Sequence, residues 1–72
     1  MAWRACDLSE DELLEAQIAQ LRQAAYWLEV ASGRRGPRSD LDRLWATELA
    51  ERARARVREI EAELEARERI AA

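Results

Sequence analysis

The residues best suited to binding chemistry are three arginines, Arg34, Arg35 and Arg38, which lie within five positions beside both glycines and the only proline. A guanidinium group donates several hydrogen bonds in a planar fork that fits phosphate oxygens. This segment is therefore a candidate anion- or RNA-binding site. The alternative is that these cations complement the partial negative charge of a helix end and keep a turn solvated. The net charge of −3 favours this alternative, because nucleic-acid binding requires a basic face.

Catalytic and metal-binding chemistry has few suitable residues in this sequence. There is no His and only one Cys, Cys6, which excludes a Cys/His metal site and a Cys–His nucleophile pair within the chain. General acid–base catalysis needs an enclosed carboxyl group with a shifted pKa, whereas the carboxylates here fall mostly among arginines on exposed helix faces. Ser9 and Ser39 are explained as helix caps. We therefore expect a protein that is not an enzyme and binds no cofactor and no metal.

Length and composition narrow the class of protein further. The chain has 72 residues, of which 49% are hydrophobic and 38% are charged, so it is too apolar to be disordered. Its longest apolar run, residues 24–28, is far shorter than the ~18 residues that a membrane span needs. No signal peptide is apparent, because Arg4, Cys6 and Asp7 interrupt the N-terminal region. We expect a cytoplasmic protein, or one inside a phage particle if it is a virion component.

Local signals predict two helices and a turn. Ser9 and Glu12 have the spacing of a capping box, and Gly33 suits the left-handed residue that follows a helix. Ser39 or Asp40 caps the next helix, and no breaker follows. We predict an all-α, single-domain antiparallel hairpin with a flexible arm at 1–8, a first helix at 9–32, a basic Gly/Pro turn at 33–38 and a second helix at 39–72. Within the arm, Trp3 is a candidate for docking onto the helices.

Apolar residues on both helices follow the four-and-three spacing of a coiled coil. The first helix carries Leu14, Ile18, Leu21, Ala25 and Leu28. The second helix carries Ala46, Leu49, Ala53, Val57, Ile60 and Leu64. Near the turn each helix is apolar on further sides, through Trp27 and Val30 on the first, and Leu41, Leu44 and Trp45 on the second.

One partner helix cannot cover a helix that is apolar on several sides, and a core this small rarely supplies more than ~3–5 kcal/mol. We therefore expect a homo-oligomer, most simply a dimer forming a four-helix bundle, or docking on a larger protein. The interface residues predicted on this basis are Leu14, Ile18, Leu21, Trp27, Leu28, Val30, Trp45, Leu49, Ala53, Val57, Ile60 and Leu64.

Charges along the second helix indicate how two copies would align. Both edges of its apolar face change sign from basic to acidic, as an isologous interface requires. An antiparallel copy would place Val57 opposite Ile60, and Ala53 opposite Leu64. The alternative is that the same arginines pair with the acidic start of the first helix, residues 10–15, inside a monomeric hairpin. The charges concerned are Arg52, Arg56, Glu59 and Glu63 on one edge, and Arg54, Arg58, Glu61 and Glu65 on the other.

The helical layout resembles the plasmid copy-number RNA-binding hairpins that dimerise into a four-helix bundle. Residues 31–33, 39–41 and 60–64 also resemble segments of small phage head-completion proteins, although six turn residues leave no room for the β hairpin of those proteins. The sequence is assigned to neither family. We predict a non-enzymatic interaction protein: a small structural, adaptor or regulatory subunit. An anion- or RNA-binding module and a component of phage particle assembly or head–tail joining are the alternatives.

Overall fold

The computed structural model describes residues 4–71; residues 1–3, which include Trp3, and residue 72 lie outside the described part. A short 3₁₀-helix (Ala5–Asp7) precedes two long helices, α1 (Glu10–Ser32) and α2 (Asp40–Ala71). The two long helices pack against each other, and no strand is present within residues 4–71. The molecule measures 49 × 23 × 15 Å. The all-α two-helix hairpin predicted from the sequence is thus confirmed.

Reciprocal hydrogen bonds at Ser9 begin α1. The Ser9 amide donates to Glu12 Oε1 at 3.0 Å, and the Glu12 amide donates to Ser9 Oγ at 3.2 Å. These bonds satisfy two of the amides that have no partner within the first turn of a helix. Acidic residues at Glu10 and Asp11 add favourable charge at the positive end of the helix dipole.

The turn is fixed by local backbone geometry and by one contact between the helices. Gly33 adopts a left-handed conformation with a φ of 84°, which favours glycine, and its amide donates to the Val30 carbonyl at 3.2 Å. On the other side, Ser39 Oγ accepts a hydrogen bond from the Asp42 amide at 3.2 Å and caps α2. Arg43 Nε donates to the carbonyl of Ala31 at 2.9 Å, which joins the start of α2 to the end of α1.

The core face of α2 consists mainly of small residues at coiled-coil spacing. Its buried residues are Ala46, Ala50, Ala53, Val57 and Ile60, whose separations of four, three, four and three place them on one side of the helix. Leu49 and Leu64 at the margins are half-buried. Because alanine side chains are short, the two helix axes can approach closely along the middle of the hairpin.

The residues of α1 that pack against α2 lie one position before the residues of its strongest apolar pattern. Leu13 and Ala24 are buried, with Gln17, Gln20 and Trp27 half-buried between and after them. Each residue advances about 100° around a helix, so the predicted apolar positions, each one residue further along, lie to the side of this face. The predicted set is therefore left largely uncovered by α2. Its exposed members are Leu14, Ile18, Leu21, Ala25 and Leu28.

The part of the predicted N-terminal arm that the structure describes forms the 3₁₀-helix and contacts α2. The guanidinium group of Arg67 donates to the carbonyl of Leu8, and its Nε donates to Glu63 at 2.9 Å. The segment before α1 therefore lies against the end of α2. Ile70, close to the C-terminus, is 87% exposed.

Ile60 and Ile70 provide a matched pair for testing this core. Ile60 is fully buried whereas Ile70 is 87% exposed on the same helix. Replacement of Ile60 by Ala should lower the free energy of unfolding by about 2–5 kcal/mol, because it leaves a cavity. Replacement of Ile70 by Ala should change it by less than about 0.5 kcal/mol. Chemical denaturation of both variants measures the difference; equal effects would contradict the burial described here.

The capping box predicts a specific pH dependence of stability. The hydrogen bonds from the Ser9 amide and hydroxyl lower the pKa of Glu12 below its ordinary value. A lowered pKa in the folded chain stabilises it above the pKa of the unfolded chain, and this contribution is lost as the pH falls through the folded pKa. The stability difference between the wild type and Glu12→Gln should therefore shrink from neutral to strongly acidic pH. Denaturation across that range is the measurement, and a constant difference would be inconsistent with the contact.

Candidate interaction surface

The most extensive candidate surface is the uncovered apolar face of α1, which we call the outer stripe. Its four large side chains are 38–52% exposed, although α2 covers the neighbouring face of the same helix. With a rise of about 1.5 Å per residue, the stripe is about 21 Å long. Separations of four, three, four and three residues are those of a helix that packs on another helix. The outer stripe comprises Leu14, Ile18, Leu21, Ala25 and Leu28.

Charged residues border the outer stripe on the side away from α2. Glu15, Arg22 and Glu29 recur every seven residues along this margin. Glu29 forms an ion pair with Arg35 at 2.9 Å. Neither Glu15 nor Arg22 forms an ion pair within residues 4–71, and no oppositely charged residue lies three or four positions from either of them. These two charges therefore face solvent without a partner on their own helix.

The hairpin buries less of its surface than a typical folded monomer of the same mass. A folded monomer of 8.3 kDa typically exposes about 4,600 Å². This chain exposes 5713 Å². Two helices have only one contact layer between them, so each keeps more than half of its circumference in water. The excess, about 1,100 Å², exceeds the roughly 800 Å² per partner that a standard protein–protein interface buries.

A second apolar surface lies on α2 near the turn. Leu41, Leu44 and Trp45 are 75%, 66% and 57% exposed. Trp27 is half-buried and packs edge-on against the ring of Tyr26, with ring centroids 4.9 Å apart and planes at 75°. Val30 is buried within the hairpin. Of the three turn-proximal residues predicted to lie in an interface, Trp27, Val30 and Trp45, only Trp45 is therefore exposed.

The residues predicted to align two copies through α2 occupy different environments. Ala53, Val57 and Ile60 are buried in the hairpin, so a two-fold contact centred on them would have to displace α1. The predicted edge charges are exposed apart from Glu63, which is half-buried. Glu63 and Glu65 form ion pairs four residues along their own helix, with Arg67 at 2.9 Å and Arg69 at 2.7 Å.

The alternative pairing of these arginines with the start of α1 is not found. No ion pair within residues 4–71 joins residues 10–15 to residues 52–58. Glu10 lies instead beside Leu64, Arg67 and Glu68, because the antiparallel arrangement brings the beginning of α1 to the far end of α2. The four arginines of the α2 edges, Arg52, Arg54, Arg56 and Arg58, are therefore solvated in the hairpin.

One of the three arginines in the turn, Arg35, makes side-chain contacts with α1. Arg35 pairs with Glu29, and its guanidinium carbon lies 4.9 Å from the centroid of the Tyr26 ring. This geometry is a cation–π contact combined with an ion pair. Arg34 and Arg38 are exposed. One of the guanidinium groups on which the anion-binding interpretation depends is therefore engaged with α1.

The described residues give little support for a buried catalytic or metal-binding site. Within residues 4–71, no charged or polar residue is buried, and no group of three or more His, Cys, Asp or Glu residues is placed to hold a metal ion. Cys6 is exposed. None of the helices in this part of the chain combines the length and apolar character needed to cross a bilayer.

Comparison of the chain with models of known protein families, with curated proteins and with solved structures found no match. Sequence reasoning identified the four large residues of the outer stripe as interface residues. It did not separate them from Ala53, Val57 and Ile60, which it predicted in the same set and which are buried inside the hairpin. The signal that distinguishes the two faces is weak, because the true core face of α1 includes Gln17 and Gln20.

Proposed function

We propose that this chain is a non-enzymatic interaction protein, a small structural, adaptor or regulatory subunit, and that its working form is a homodimer joined through the outer stripe. The observation that carries this proposal is the exposure of four large aliphatic side chains at coiled-coil spacing on a helix whose neighbouring face already packs against α2. Contiguous apolar surface of this kind typically marks a protein interface.

A second copy is favoured as the occupant because the surface is suited to itself. The stripe has the length and spacing of a short coiled coil. Its margin carries both signs of charge on Glu15 and Arg22, which form no ion pair with any of residues 4–71. An isologous contact needs such self-complementarity. The exposed area in excess of a typical monomer is also sufficient for a standard interface.

In the dimer that we propose, the two α1 helices lie at the centre and each α2 lies outside, so that four helices form the bundle. This arrangement keeps Ala53, Val57 and Ile60 in the core of each hairpin, whereas contact through the buried face of α2 would open the hairpin. The arginine turn is the weaker candidate for function, since Arg35 is occupied by Glu29 and Tyr26.

Two neighbouring positions on α1 test the proposal with the same introduced side chain. Ile18 is 52% exposed on the outer stripe, and Ala19 is exposed on another side of α1. Ile18→Glu should convert the dimer to a monomer, because two carboxylates would be buried among leucines without partners. Ala19→Glu should leave the dimer intact. Light scattering coupled to size-exclusion chromatography measures both masses, and circular dichroism checks that helix content is retained.

The wild-type chain supplies a control that does not depend on the variants folding. If dimerisation stabilises the hairpin, its melting temperature should rise with protein concentration, as mass action requires. A melting temperature independent of concentration, together with a monomeric mass at the highest concentration tested, would overturn the proposed dimer. The same outcome for Ile18→Glu and Ala19→Glu would show that the outer stripe is not the contact.

A further inference from the structure

We infer that the two α1 helices of the dimer run antiparallel, in a single register that places Glu15 beside Arg22 of the partner subunit. This inference rests on the proposed self-association and adds to it the orientation of the chains. It follows from the residues that border the outer stripe on its two sides. The outer margin consists of Glu15, Arg22 and Glu29, and the inner margin, next to α2, consists of Glu10, Gln17 and Ala24.

If the two α1 helices ran parallel, their margins would form no favourable charge pair. In a parallel coiled coil, a residue on the outer margin of one helix contacts a residue on the inner margin of the partner helix. The contacted residue lies five positions earlier in the sequence. Glu15 would then meet Glu10 of the partner subunit, a like-charge contact, and Arg22 would meet the neutral Gln17 of the partner subunit. The parallel dimer would therefore have repulsion near the start of α1 and no opposite-charge pair along the stripe.

An antiparallel arrangement brings the two outer margins together. When Ile18 packs beside Leu21 of the partner subunit, Glu15 comes beside Arg22 of the partner subunit, and symmetry repeats the pair. The same register places Leu14 against the small Ala25 of the partner subunit, which combines large with small side chains. The opposed helix dipoles also favour this orientation.

The two antiparallel registers that lie one heptad away are disfavoured by charge. With Ile18 beside Leu14 of the partner subunit, the two copies of Glu15 would meet. A shift of one heptad, so that Ile18 packs beside Leu28 of the partner subunit, would bring the two copies of Arg22 together. The same shift would place Glu15 beside Glu29 of the partner subunit. Like charges in these positions oppose association, so the margins select the register as well as the direction.

The charges available for this contact are free in the hairpin. Glu63 and Glu65 already have partners on their own helix, at 2.9 and 2.7 Å. Glu15 and Arg22 have no ion-pair partner within residues 4–71. Pairing them across a dimer therefore breaks no ion pair of the described part of the chain. Both side chains lie at a rim, where such pairs specify alignment more than they add affinity.

Charge reversal tests the pairing. Glu15→Arg and Arg22→Glu should each weaken the dimer about tenfold, because each creates two like-charge contacts across the two-fold axis. The double variant should regain wild-type affinity within about threefold. Glu48→Arg, an exposed site on α2, changes the net charge of the chain as Glu15→Arg does and should have little effect. Analytical ultracentrifugation measures the dissociation constants; a double variant no better than the singles would overturn the pairing.

Disulfide trapping tests the orientation independently. In a Cys6→Ser background, Ile18→Cys and Leu21→Cys chains are prepared separately and oxidised alone or mixed. A disulfide needs Cβ atoms about 3.5–4.5 Å apart. The antiparallel register predicts a crosslinked dimer only in the mixture, whereas a parallel dimer would crosslink each variant with itself. Self-crosslinking of either variant, or no crosslink in the mixture while ultracentrifugation shows a dimer, would overturn the orientation and leave the proposed dimer standing. A monomeric wild type would refute the dimer itself.

Discussion

The single layer of contact between α1 and α2 determines the rest of this molecule. On the α2 side it is made mostly of alanine, with Val57 and Ile60 at one end, so the helices meet over a narrow strip of small residues. A strip of this width covers only one face of α1. Every larger apolar side chain on the neighbouring face is consequently left in contact with water, and the interaction surface of the chain is a direct result of how its core is built.

Much of the fold is readable from the sequence because its signals are local. The capping box at Ser9, the left-handed Gly33 and the cap at Ser39 each involve residues a few positions apart, and all three are present in the structure. The choice of the α1 core face depends instead on packing between distant residues. The pattern of large aliphatic residues indicated the outer stripe, but α2 packs against the adjacent face, where Leu13 is buried and Gln17 and Gln20 are half-buried.

Sequence patterns could not predict contacts between residues that are far apart in the chain. Arg67 and the Leu8 carbonyl are 59 residues apart, and no periodicity links them. The pairing of Arg35 with Glu29 and Tyr26 likewise depends on the path of the turn. The interface residues predicted from the sequence are consequently divided by the structure: one group forms the interior of the hairpin, and the other, on α1 and near Trp45, is the surface open to other chains.

The contact of Arg67 with Leu8 has a consequence for the architecture of any assembly. It holds the segment before α1 and the last turns of α2 at one pole of the hairpin, while the basic turn occupies the opposite pole. Two hairpins joined antiparallel through α1 would give a rod with equivalent poles, each displaying the basic turn of one chain beside the start of α1 and the end of α2 of the other. Such a symmetric connector presents the same face in both directions, so it would join two identical bodies, whereas a rod with unlike ends would join different ones.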